Sequence, residues 1–119
     1  MVEAEFDTVV ADYRRQHAQS VSFMSADLDY FALYKAEELA KICRNAKIDP
    51  ATILDFGAGI GNSLNPLRKA FPSAAIKCLD VSAESLKLCE RQGVSDMTTH
   101  AYDGKRLPFD DNSIDIAFT

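Results

Sequence analysis

The apolar and polar positions divide the chain into two unlike parts, which meet near Asp49-Pro50. Upstream, apolar residues recur at helical spacing. Phe6, Val9, Val10 and Tyr13 share one face and predict a short amphipathic helix over about residues 3–14. Residues 15–24 keep no steady period and read as a loop. Ser25 or Asp27 then caps a longer helix to about residue 46. Its expected inward stripe is Leu28, Phe31, Lys35 (by its stem), Leu39, Ile42, Cys43 and Ala46.

Downstream, short apolar runs alternate with helical periods. Residues 52–56 form an apolar strand bounded by Pro50 and a glycine cluster. A helix over about residues 62–70 turns Leu64, Leu67 and Phe71 inward and is closed by Pro72. Residues 75–79 are a second strand. Residues 83–92 are a second helix of this half, with Ser82 as cap and Gly93 as stop. A weaker strand at 97–102, a turn-rich connection at 107–113 and a fourth strand at 114–118 complete the pattern. Strand–helix alternation of this kind predicts an α/β fold with a parallel sheet of about four strands and flanking helices. The expected organisation is a helical segment over residues 1–49, followed by the sheet-bearing unit over residues 50–119.

Bulk properties narrow the picture only a little. A chain of 119 residues is long enough for one domain with its own core. Its 13 basic and 18 acidic residues give a net charge of −5, which argues against general binding to nucleic-acid phosphate. Cys43, Cys78 and Cys89 are an odd number without metal-ligand spacing, as expected of free thiols in a reducing, cytoplasmic compartment. No metal site is predicted. The first five residues carry acids where a signal peptide needs bases, and no run approaches the roughly 18 apolar residues that span a membrane.

The chemistry is concentrated in Ile53-Leu54-Asp55-Phe56-Gly57-Ala58-Gly59-Ile60-Gly61-Asn62. A strand running into alternate glycines brings bare backbone and a helix start against a ligand. In a parallel sheet that ligand sits beyond the carboxyl ends of the strands. The dinucleotide fingerprint Gly-x-Gly-x-x-Gly would need its third glycine at position 62, where this chain has Asn62. Asp55 would also repel a pyrophosphate, whereas it would attract an ammonium or sulfonium. Asp80 ends the second strand 19 residues beyond Gly61, close to the roughly 20 expected of an acid that takes ribose hydroxyls. Val81 would offer an apolar flank to a flat base. The plainer alternatives are a tight strand–helix turn with no ligand, and an Asp80 that only caps the helix near Ser82.

These residues resemble the class I S-adenosylmethionine-dependent methyltransferases. Leu54-Asp55-Phe56-Gly57-Ala58-Gly59-Ile60-Gly61 is similar to that family's first motif and Leu79-Asp80-Val81-Ser82 to its second. Tyr102-Asp103-Gly104, Leu107-Pro108-Phe109 and Asn112-Ser113-Ile114-Asp115 are similar to its third and fourth. The resemblance covers about residues 50–119. It implies a Rossmann-like sheet and S-adenosyl-L-methionine as cofactor, with S-adenosyl-L-homocysteine as product. It implies that Gly57, Ala58, Gly59 and Gly61 pass under the methionine part, with Asp55 beside them. Asp80 would hold the ribose and Val81 line the adenine. Asp103 would accept from the adenine amino group with Gly104 nearby, unless it is an ordinary turn aspartate.

The family's sheet has seven strands, so a chain stopping after the fourth is expected to be part of a longer protein or to pair its open edge in a homodimer. In that family, residues before the first strand often fold over the cofactor. This gives Tyr13-Arg14-Arg15-Gln16-His17 a weak claim on the substrate side.

Methyl transfer needs alignment and exclusion of water more than a catalytic triad, and no catalytic residue is singled out. His17 and His100 stand isolated. The expected function is methyl transfer to an unidentified small-molecule, lipid-like or protein acceptor. The alternatives are an S-adenosylmethionine-binding module or partner subunit without turnover, and, disfavoured by Asn62 and Asp55, a nicotinamide-dependent oxidoreductase.

Overall fold

A computed structural model describes residues 28–119; the helix expected at 3–14, the loop after it, the Ser25 or Asp27 cap and the 13–17 segment lie outside the described residues. Helix α1 covers residues 28–46 and is followed by β1 (Thr52–Phe56), α2 (Leu64–Ala70), β2 (Ala75–Asp80), α3 (Ala83–Arg91), β3 (Met97–Ala101) and β4 (Ile116–Phe118). The strands form one sheet in the order β3-β2-β1-β4, every neighbouring pair parallel. Ile53 of β1 lies opposite Ile76 of β2 and Ile116 of β4, and Asp55 lies opposite Cys78 and Phe118.

That register decides the two faces, because side chains alternate along a strand. Ile53, Ile76, Cys78 and Phe118 join Leu64, Leu67, Leu86 and Cys89 of the crossover helices in one buried cluster, together with Ala36, Ala40 and Cys43 of α1. All three helices therefore cover the same face. On the other face lies the segment between β3 and β4. Phe109 stacks edge-on against His100 at 5.0 Å, and the Lys77 ammonium sits 5.4 Å from the same ring. Burial and then Lys77 hold the His100 imidazole below its usual range.

Helix α1 departs from the expected stripe. Its buried face is Ala32, Ala36, Ala40 and Cys43, whereas Phe31 and Ile42 are 61% and 60% exposed and Lys35 and Ala46 are exposed. Small side chains let the helix axis lie close to the sheet and α2, a packing that larger residues would hold off. Phe31 lies four residues before Lys35 and Ile42 seven after it, at helical spacing. The helix ends on Lys47 at φ 57°, with the Ile48 N–H donating to Cys43 O at 2.8 Å and the Lys47 N–H to Arg44 O at 3.2 Å. This is a Schellman cap, which normally employs glycine and here is closed by a lysine.

Other boundaries shift by a residue or two. Asn62 and Ser63 belong to the turn before α2, and β4 begins at Ile116 rather than at 114. Asp115 explains the second shift. Its Oδ2 accepts from the Ala51 and Thr52 N–H groups at 2.9 and 3.0 Å and its own N–H donates to Thr52 O at 3.1 Å, so it fastens the start of β1 just ahead of β4. Arg68 fastens the same, amino-terminal end of the sheet. Its guanidinium donates to the carbonyls of Phe71, Pro72 and Ala74 through Nη1 and of Ser95 and Asp96 through Nη2. Both anchors lie at the end opposite the glycine turn, leaving the carboxyl ends of the strands for ligand chemistry.

Candidate functional site

The carboxyl ends of β1 and β2 lie side by side, Phe56 opposite Leu79. The N–H groups of Gly57 and Ala58 both donate to Leu79 O, at 2.8 and 3.1 Å, and so lead the chain off β1 across the end of β2. Gly57, Gly59 and Gly61 take φ values of 67°, 58° and 85°, the left-handed region open to glycine. They serve two different purposes. A Cβ on Gly57 or Gly59 would meet nothing within 4 Å, so their backbone borders open space. A Cβ on Gly61 would lie 2.5 Å from Gln92 Nε2 and 3.1 Å from Cys89 Sγ, so a side chain here would displace the Gln92 amide and crowd Cys89 of α3.

Gln92 was assigned above only to the end of a helix. Its Nε2 donates to Ile60 O and Gly61 O at 3.1 and 2.9 Å, holding the glycine turn from behind. Cys89 Sγ donates to Gly59 O at 3.5 Å from the same side. Cys78 is hydrogen-bonded to Cys89, and this bond, followed by burial, raises its thiol pKa, so both sulfurs act as packing groups. Cys43, Cys78 and Cys89 are all free and buried. No group of three or more metal-ligating side chains occurs among the described residues.

Asp80 is buried, and each carboxylate oxygen holds a backbone N–H: Oδ2 that of Gly59 and Oδ1 that of Ser82, both at 2.9 Å. The helix cap is a separate group, Ser82 Oγ, which accepts from the Ser85 N–H at 3.1 Å. Asp80 thus ties the glycine turn to the end of β2. A carboxylate offers about four acceptor positions, so two bonds leave capacity for a ligand's hydroxyls.

Asp55 is unlike Asp80. It is 4% exposed, and its Oδ2 is buried with no hydrogen-bond partner among the described residues. Burial pushes its carboxyl up to about 7, opposed by the Lys35 charge and reinforced by Asp80. A buried acceptor without a partner is uncommon in a folded protein and suits a site that a cation or donor completes.

Lys35 is the second residue not anticipated from sequence. Its Nζ donates to Thr119 O at 2.7 Å and lies 5.2 Å from the centre of the Phe118 ring, at the carboxyl end of β4. Taken as a core-facing stem, it had no visible role. The sheet register, which puts Phe118 beside Asp55, supplies one.

The remaining predicted residues lie beyond the ends of β2 and β3. A Cβ on Gly104 (φ 83°) would rest 3.7 Å from Val81 Cγ1, which makes these two neighbours across the loop. The Phe56 and Tyr102 rings meet edge-on at 6.1 Å. Asp103 is exposed, and its Oδ1 accepts from the N–H groups of Lys105 and Arg106 at 2.8 and 3.0 Å. Those backbone bonds, Arg106 first, hold its carboxyl below the usual carboxylate range. The turn role considered for Asp103 is thus realised by one of its oxygens.

A hollow of about 430 Å³ between Leu33 of α1 and Asn62, Asn65 and Pro66 lies behind the turn. It borders Gly61 at the end of the turn but none of Asp55, Asp80, Val81 or Gly104.

Residues 53–119 match the sequence family described as a methyltransferase domain. Among curated proteins, the chain is 33% identical over 116 residues to a malonyl-[acyl-carrier protein] O-methyltransferase of Methylococcus capsulatus, covering 92% of this chain and 42% of that protein. It is 28% identical to the protein of the same name from a Marinomonas species, covering 95% and 43%. The chain therefore spans less than half the length of these relatives. Among solved structures it is similar to the plantazolicin methyltransferase BpumL in complex with SAH, with a TM-score of 0.68 at 19% identity, covering 98% of this chain and 45% of that one. A turn with alternate glycines between two buried strand-end acids, a β3-β2-β1-β4 parallel sheet and the family match agree: the chain belongs to the class I S-adenosylmethionine-dependent methyltransferases.

Proposed function

We propose that this chain is the cofactor-binding part of a methyltransferase that uses S-adenosyl-L-methionine and releases S-adenosyl-L-homocysteine. The observation that carries this reading is the pair Asp55 and Asp80, both buried near the carboxyl ends of adjacent strands, one with an unpartnered oxygen and the other bonded to the glycine turn. The residues present fit the cofactor's chemistry. Open space above Gly57 and Gly59 admits a close-lying chain, and the orphan oxygen of Asp55 suits its positively charged amino-acid end. Asp80, fixed by two backbone N–H groups, presents its remaining lone pairs to the ribose diol. Val81, against Gly104, and the second oxygen of Asp103 would receive the adenine. The cofactor supplies a sulfonium-activated methyl group, which the acceptor's nucleophile takes while the sulfur keeps the electron pair. The protein's share is to hold the reactants in line and keep the site dry.

Carboxylate O-methylation is the reaction favoured for the whole protein, because both curated relatives above are named as O-methyltransferases of a malonyl thioester carrier. The outer edge of β4 has no partner strand among the described residues. We assign it to a further strand of a longer protein or to a second copy of this chain. Three buried free thiols suit a reducing, cytoplasmic setting. A binding module without turnover is the second reading, since the turn and both acids serve affinity alone. Calorimetric titration with S-adenosylhomocysteine and with NAD tests the cofactor assignment, and a labelled-methyl assay on the full-length gene product separates turnover from binding. Preference for NAD would return the chain to the oxidoreductase alternative.

A further inference from the structure

Helix α1 runs antiparallel to the strands, so its first turns lie level with their carboxyl ends. Lys35 reaches Thr119 O and the Phe118 ring there, whereas Cys43 and Arg44, farther along, border Phe71 and Ala74 at the opposite end of the sheet. Tyr30, Phe31 and Tyr34 occupy these same first turns and are 66%, 61% and 53% exposed. Phe31 is four residues from Lys35 and three from Tyr34, which places the three on one continuous surface. The Tyr30 and Phe31 rings meet edge-on at 6.2 Å and extend it. Three large aromatic side chains left in water beside a cation, at the mouth of a ligand site, form an unsatisfied apolar surface with a charged inner end.

We propose that Lys35, with Phe31 and Tyr34, forms the acceptor site, and that its ligand is an acyl chain ending in a free carboxylate. The inference rests on the methyltransferase reading above and names the substrate class for that site. An ammonium has three donors, and Thr119 O takes one, so the others are available to a carboxylate, which binds them more strongly than a neutral carbonyl does. The Asp55 carboxyl feels the Lys35 charge and the Phe118 ring lies 5.2 Å from the ammonium, so this charge sits at the carboxyl ends of β1 and β4. Outward of Lys35 the surface is aromatic and takes the acyl portion.

The test uses the full-length gene product saturated with S-adenosylhomocysteine. Calorimetry compares a malonyl thioester of N-acetylcysteamine with the methyl ester of the same compound. Wild-type protein is expected to favour the free carboxylate at least tenfold. Lys35→Gln should abolish that preference, and Lys35→Arg should keep most of it. Phe31→Ser and Tyr34→Ser should weaken both compounds alike and leave the preference intact. These positions are exposed, and circular dichroism confirms that each variant is folded. Carboxylate preference unchanged in Lys35→Gln, or no binding of either compound to protein that does bind S-adenosylhomocysteine, overturns the inference. Failure to bind S-adenosylhomocysteine itself overturns the methyltransferase reading instead.

Discussion

Replacing Asp55 with asparagine should make the protein less sensitive to rising pH, and the effect can be worked through from the site. The wild-type carboxyl has a pKa of about 7 in the folded chain against 3.8 for a free aspartate side chain, chiefly because burial disfavours its charged form. The folded state therefore holds a proton between about pH 4 and 7 that the unfolded state has lost. With the folded value raised, this contribution to stability is complete below the unfolded pKa and disappears as pH climbs through the folded one. At about 1.4 kcal/mol per tenfold, full ionisation of Asp55 costs the fold roughly 4 kcal/mol, and about 2.5 kcal/mol of that falls between pH 5 and 8. Asparagine has the same shape and no titration, so the other carboxylates cancel when the two proteins are compared. Urea unfolding at several pH values should show Asp55→Asn gaining about 2.5 kcal/mol on the wild type over that interval. The same proton should leave when a cationic ligand arrives. Titration of S-adenosylmethionine in buffers of different ionisation enthalpy is expected to report net proton release near pH 7 in wild type and none in the variant. A stability difference that stays constant within about 0.5 kcal/mol from pH 5 to 8 would refute the argument that Asp55 is buried without compensation.

Further outcomes follow from the contacts around the turn and at the far end of the sheet. Asp80→Ala should weaken S-adenosylmethionine binding by roughly 1.5–3 kcal/mol, the range for hydrogen bonds to a charged group, and an unchanged dissociation constant would remove Asp80 from the site. Gly61→Ala should cost more stability than Gly59→Ala in thermal unfolding. Both positions are left-handed, at about 1–2 kcal/mol for a residue with a Cβ, but only Gly61 would also collide with Gln92 and Cys89. Gly59→Val should instead weaken ligand binding by filling the space above the turn. Arg68→Met should lower stability by at least about 2 kcal/mol, because five carbonyl contacts lose their donor, with ligand affinity little changed at the opposite end of the sheet.

The sheet was legible because its information is local: β1, β2 and α3 each carry an unbroken apolar or amphipathic period between glycine, proline or serine stops. The turn was legible for the same reason, since three alternate glycines and two strand-end acids lie within one stretch of sequence. What escaped is tertiary. Gln92 holds the turn from 31 residues away, and its sequence context is that of any helix end. Arg68 and Asp115 stand in polar positions that look solvated until the chain brings distant carbonyls and amides to them. The α1 stripe misled because size was read as burial. The contact surface selects alanines, and Phe31 and Ile42 are left exposed. The two acids could be found from sequence but not told apart, since only burial and partner geometry separate an anchored Asp80 from an orphaned Asp55.

The most direct test is a crystal structure of this chain with S-adenosylhomocysteine. The account predicts the nucleoside beyond the carboxyl ends of β1 and β2, with ribose hydroxyls within hydrogen-bond distance of Asp80 and the amino-acid end lying over Gly57 and Gly59 toward Asp55. A ligand seated in the hollow between α1 and α2, or a ribose that makes no contact with Asp80, would contradict it.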